Sequence, residues 1–188
     1  MGDIQNGEQN KTETIYLMTS RFYNTGAKII ELMTGCFYSH TSIGLAEDMN
    51  TFYTFVVKGF LVEDLNRYAK KENFHMPCRL YELKVTKAEY DRIKRILRFY
   101  IKNKDKLSYT QFGLAMALLR IPFKLKYKYF CSQFVAEVLK RGKVMKFKRP
   151  TSICMSKHLL KDKKARKVYE GTVKEMVKQL SIKPCIAA

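Results

Sequence analysis

Cys131 lies in YKYFCSQFVAEVL, where an apolar, helix-favouring run begins. A cysteine in the first turn of a helix meets unsatisfied main-chain N–H groups and the positive end of the helix dipole. Both stabilise a thiolate and lower its pKa. The same N–H groups can hold the oxyanion formed when sulfur attacks a carbonyl. Most buried cysteines are simply small core residues, so Cys131 alone does not define a site. His40 strengthens the case. It opens SHTSIGLA, in which His40, Ser42 and Gly44 share one face and Thr41, Ile43 and Leu45 the other. Ser42 and Gly44 are small, which predicts a helix backbone approaching closely on the side of His40. A histidine there takes the thiol proton and later returns it to a leaving group. The expected chemistry is attack of a thiol on an amide or ester carbonyl through a thioester.

The elements that must position these two residues are legible in outline. A polar tail over 1–13 precedes a strand at TIYLMTSR (14–21). A short helix over 25–34 stops at Gly35. SHTSIGLA (39–46) and TFYTFVV (51–57) form an antiparallel hairpin around EDMN, and KGFLVEDL continues as a further short strand. RLYELKV (79–85) is another strand. Thr86 and Glu89 then form a capping box that opens a helix running to about 103. Its inner stripe is Tyr90, Ile93, Leu97, Tyr100 and Ile101. A mostly apolar helix over 108–120 ends before Pro122. The cysteine helix follows and stops at Gly142, with Cys131, Val135, Val138 and Leu139 on one side. A short segment around SKHLL and an amphipathic helix near 170–180 close the chain. Residues 14–188 are expected to form one α+β domain.

Composition narrows the setting. A chain of 188 residues with 46% hydrophobic and 28% charged residues suits one buried core. No run approaches the roughly 20 apolar residues of a membrane span. MGDIQNGEQNKTE has no apolar signal core, and Asn6 stands where a myristoylation motif wants Ser or Thr. Cys36, Cys78, Cys131, Cys154 and Cys185 are scattered without a CxxC pair, which points to free thiols and a cytoplasmic location. The histidines show no metal-ligand spacing, so neither metal nor cofactor is expected. The net charge of +19 is concentrated late, in KLKYKYF, LKRGKVMKFKR and KDKKARK. Solvated lysine surface is its simplest reading, and phosphate-rich partners, either nucleic acid or an anionic membrane surface, are what such a field would attract. No ribonucleoprotein, helix-turn-helix or finger motif makes nucleic acid a specific partner.

SHTSIGL with its return strand, followed much later by FCSQFVAEVL, resembles the circularly permuted branch of the NlpC-type papain-like superfamily. That branch includes YiiX-like bacterial proteins and lecithin–retinol acyltransferase relatives, and TFYTFVVKGFLVED is similar to Firmicutes members. The resemblance spans about residues 14–142. It implies a permuted papain-like fold, an antiparallel sheet packed against the nucleophile helix, with Cys131 as nucleophile and His40 as base. It also implies a third polar residue on the next strand that orients the imidazole, usually Glu or His. Aligning the hairpin by its turn puts Thr54 there, with Tyr53 and Thr51 close by. Thr54 accepts a hydrogen bond but brings no charge. Glu63 would replace it if the following strand folded back beside His40. The implied function is a thiol hydrolase or acyltransferase acting on a peptide or lipid amide or ester. The alternative is a catalytically weak binding module that uses its basic surface. Tyr109 resembles a tyrosine that often precedes the nucleophile in cell-wall relatives. Gln133 reads as a helix-face residue, Cys36 as core, and His75 and His158 as surface histidines.

Overall fold

The computed structural model describes residues 12–23, 25–70 and 75–182. Along the chain run β1 (Thr12–Ser20), α1 (Thr25–Thr34), β2 (His40–Leu45), β3 (Asp48–Val56), β4 (Gly59–Asp64), α2 (Leu65–Ala69) and β5 (Pro77–Thr86). Then come α3 (Lys87–Lys102), β6 (Ser108–Tyr109), α4 (Gln111–Leu118), β7 (Lys128–Tyr129), α5 (Cys131–Arg141), α6 (Ser156–Leu159), β8 (Arg166–Thr172) and α7 (Val173–Ile182). Six strands form one antiparallel sheet in the order β4-β3-β2-β1-β5-β8. The architecture is α+β.

Side-chain alternation divides the sheet into two apolar faces. Ile15, Leu17, Ile43, Leu45, Phe55 and Leu83 pack against α3 and α5, through Tyr90, Ile93, Leu97, Phe134, Val135 and Val138. Met18, Phe52, Met76 and Leu80 face the other way, against Leu65 and the α7 residues Val173, Met176 and Val177. With both faces covered, every position of β2 is buried. Strand β2 therefore reads as a continuous buried run rather than an in-out alternation. Helix α5 is more enclosed than its single apolar stripe predicts, since Cys131 through Leu139 are all buried.

Several expectations hold. Helix α1 ends at Gly35, whose φ of 63° suits a residue without Cβ. The β2–β3 hairpin forms, and Thr86 and Glu89 make the capping box of α3. Other expectations need correction. Strand β1 begins at Thr12, where Thr12 pairs with Thr86 and Glu13 with Val85, so the end of the expected tail is sheet. Residues 1–11 lie outside the described residues. Ile101 is exposed, because the inner stripe of α3 finishes on Tyr100. The expected helix over 108–120 is divided. Ser108 and Tyr109 pair in parallel with Lys128 and Tyr129, and the Thr110 hydroxyl caps α4 by accepting the Gly113 N–H at 2.8 Å.

Gly44 has a different cause from the one its pattern suggested. A Cβ there would lie 2.9 Å from the Phe52 ring. Helix α5 packs on the opposite face, against Ile43 and Leu45. The small residues beside His40 therefore admit an aromatic ring from β3, and the cysteine helix arrives from the other side.

Candidate active site

The site forms where β2 and β3 part. Their ladder pairs Ile43 with Tyr53 and Gly44 with Phe52, and His40 to Ser42 extend beyond those pairs. There the Thr54 side chain substitutes for main-chain pairing. Its hydroxyl donates to the Thr41 carbonyl at 2.8 Å, and its oxygen lies 3.1 Å from His40 Nε2. A threonine hydroxyl has one proton. That proton is committed to Thr41, so Nε2–H is the donor to Thr54 and Nδ1 keeps the ring's lone pair. Phe22 meets the imidazole edge-on, with ring centroids 4.8 Å apart. Burial holds the His40 pKa down at about 4, so the ring is neutral at physiological pH.

Cys131 reaches the same point from α5. Its Sγ lies 4.0 Å from the Ser39 carbonyl oxygen, and the main-chain N–H groups of Thr41, Ser132 and Cys131 point at the sulfur. The sulfur thus touches the backbone on both sides of His40. Phe130 is the N-cap of α5 and supplies no side-chain cap, which leaves the first-turn N–H groups to the site. Those donors pull the thiol pKa down, but complete burial outweighs them and the net shift is upward. This overturns the expectation of a lowered thiol pKa: position in the helix is as predicted, and desolvation decides the sign. At rest both the thiol and the imidazole are neutral.

Cys131 and His40 line one cavity of about 560 Å³, together with Phe22, Tyr109, Leu114 and Val57. Tyr109 forms part of its wall, and burial together with the nearby Cys131 sulfur raises the phenol pKa. A larger hollow, about 660 Å³, lies between α7 and the sheet and contains neither residue.

The remaining candidates fall as follows. Thr54 occupies the place beside His40. Glu63 pairs with Phe52 on β4, so β3 separates its strand from β2. Burial pushes the Glu63 carboxyl up to about 7. The Tyr68 hydroxyl opposes that shift. Tyr53 packs with the α3 and α5 core, away from the ring. Gln133 is buried with its amide nitrogen unpartnered, and it is not among the residues lining the cavity. His75 is exposed as expected. His158 is half-buried, because its Nδ1 accepts the Met155 N–H at 3.0 Å and Arg149 Nη1 lies 3.0 Å from its Nε2. Cys36 is half-buried rather than core. Cys185 lies outside the described residues.

The sequence pattern did not reveal the main-chain groups of Ser39 and Thr41, nor Ser156, whose Oγ accepts from Thr41 Oγ1 at 2.6 Å and ties α6 to β2. Main-chain donors leave no trace in residue types, so only the fold exposes them. Among the described residues no group of three potential ligands could hold a metal, and no helix is long and apolar enough to cross a membrane. No family model matches the chain, and no curated protein matches it.

Proposed function

We propose that Cys131 and His40 form the dyad of a thiol hydrolase or acyltransferase of permuted papain-like type. One observation carries this reading: the Cys131 sulfur lies against the main chain on both sides of His40, whose tautomer Thr54 fixes. The His40 strand preceding the Cys131 helix, with an antiparallel sheet packed on that helix, supports the permuted papain-like assignment.

The chemistry runs from a neutral pair. As a substrate carbonyl enters, Nδ1 accepts the thiol proton while sulfur bonds to the carbonyl carbon. The N–H groups at the start of α5 receive the oxyanion. The imidazolium returns its proton to the departing amine or alcohol, leaving a thioester on Cys131. Water or a second nucleophile then releases the acyl group. The substrate class is an amide or ester of a peptide or lipid, and the free thiols fit a reducing, cytoplasmic setting.

The test is intact-mass measurement during turnover of a water-soluble activated ester. An acyl adduct on Cys131, lost in Cys131→Ala and in His40→Asn, is expected. Absence of both adduct and turnover would favour the second reading, a binding module on the same fold. The uncharged Thr54 and the unionised dyad are the observations on that side.

A further inference from the structure

The helices that frame the cavity mouth have the wrong kind of outer surface for water. Ala27 of α1 is buried, and Ala27 and Ile30 help line the cavity. Ile29, Leu32 and Met33 turn outward in an i, i+3, i+4 stripe, with Leu32 86% exposed. After Gln111, helix α4 carries no polar side chain. Leu114 lines the cavity while Phe112 and Leu119 lie exposed two turns apart, followed by exposed Ile121. A surface helix normally turns a polar face to solvent, and an all-apolar one is normally buried. The two helices touch each other and both line the cavity, so their exposed apolar residues lie around its mouth.

Cations follow α4 along the chain. The stretch from Gln111 to Phe130 holds Arg120, Lys124, Lys126 and Lys128 and no acid, with apolar residues interleaved. Lys157 donates to the Thr34 carbonyl at 2.9 Å, which brings a further cation to the end of α1. Burial holds the His158 pKa down, and the charges of Arg149, Lys157, Lys161 and Arg120 add to that shift, so these four cations are gathered around α6. Nearby acids are already engaged, Glu31 by Arg21 and Glu137 by Lys124.

We propose that the α1–α4 face is a docking surface for an anionic lipid bilayer. The apolar stripes seat among the headgroups, the cations meet lipid phosphates, and the Cys131 cavity opens toward the membrane. Interleaved cations and apolar side chains suit that boundary, where long basic side chains reach the phosphates while their stems stay in apolar surroundings. A second copy of this chain would oppose cations to cations. A nucleic acid would leave Leu32 and Phe112 without an apolar partner. The proposal deepens the enzymatic reading by placing the substrate at a membrane surface, and its test is independent of catalysis.

The experiment is co-sedimentation of the full chain with vesicles of phosphatidylcholine alone or with one third phosphatidylglycerol, at physiological ionic strength. Binding at least roughly ten-fold tighter to the anionic vesicles is expected. It should fall by a similar factor in Leu32→Ser/Leu119→Ser and in Lys126→Glu/Lys128→Glu, and be kept in Cys131→Ala. Both pairs are exposed, and an unchanged melting temperature checks that each variant folds. Equal binding to both vesicle types would overturn the proposal. So would binding indifferent to the Leu32/Leu119 pair, or a dimer in solution that this pair abolishes. Vesicle binding without soluble-ester turnover would retain the docking surface and remove the enzymatic reading. Turnover without vesicle binding would do the reverse.

Discussion

Glu63 and His40 are buried groups whose effects on stability oppose each other, and Glu63→Gln separates them. Glu63 ionises at about 7 in the fold against an ordinary 4.5, because burial disfavours the carboxylate. Between those values the folded chain holds a proton that the unfolded chain has lost, so stability falls as pH rises through the window. The gap corresponds to about 3 kcal/mol at about 1.4 kcal/mol per pH unit. His40 behaves oppositely. Its folded value of about 4 lies below the ordinary 6.5, so the unfolded chain binds the extra proton and stability rises with pH by about 3 kcal/mol. The two slopes nearly cancel between pH 4.5 and 6.5. Urea unfolding of wild type and Glu63→Gln across pH 4 to 7 measures the difference, and groups common to both chains drop out. The wild-type advantage over Glu63→Gln should shrink by about 3 kcal/mol as pH rises from 4.5 to 7. The advantage over His40→Asn should grow by a similar amount from pH 4 to 6.5. Difference curves flat to within about 0.5 kcal/mol would refute the reasoning, because they would mean that neither group is desolvated by folding.

Three further outcomes are expected. The acid limb of kcat/KM on a soluble ester should fall near pH 4 rather than 6.5, because the base must be neutral; a limb between 6 and 7 would contradict a buried, unionised His40. Thr54→Val removes both the acceptor of Nε2–H and the donor to Thr41, and should cost about 1–3 kcal/mol in chemical denaturation and roughly ten-fold or more in kcat/KM. Thr54→Ser should restore most of both. Gly44→Ala drives a methyl to 2.9 Å from the Phe52 ring and should cost about 1–3 kcal/mol, while ester turnover per folded molecule stays unchanged because α5 packs on the other face.

Local patterns translated well where neighbours in sequence are neighbours in space. The Thr86–Glu89 box and the β2–β3 hairpin are of this kind, and both are found. Strand β8 was missed because RKVYEGT is an edge strand with mostly exposed or half-buried residues, so no apolar alternation marks it. The start of α4 was misjudged because Ser108 and Tyr109 are held by a distant partner, Lys128–Tyr129. His40 and Thr54 could be found through the hairpin they share. That Cys131 lies against the strand carrying His40 depends on how α5 sits on the sheet, which no spacing records. The charge state of Cys131 was legible in position and illegible in sign, since helix placement is local and desolvation belongs to the assembled core.

That sign also accounts for the threonine. The favourable term at a helix N-terminus is about 0.3–1 kcal/mol, reaching about 2 in partly buried geometries. Removing a charge from water costs several kcal/mol even after relaxation. In a site where both Cys131 and His40 are buried, the second quantity exceeds the first, and a resting thiolate–imidazolium pair is disfavoured. A carboxylate in place of Thr54 would face a neutral ring and become a buried, uncompensated charge. A hydroxyl orients the ring without that penalty and commits its own proton to Thr41. Two further hydroxyls belong to the same part of the sheet. Ser20 pairs with His40 across β1, Ser42 follows on the same face, and both oxygens are buried without a partner. Under the proposed mechanism, the uncharged Thr54 and the unionised Cys131 and His40 are one arrangement, suited to moving the thiol proton in step with carbonyl attack.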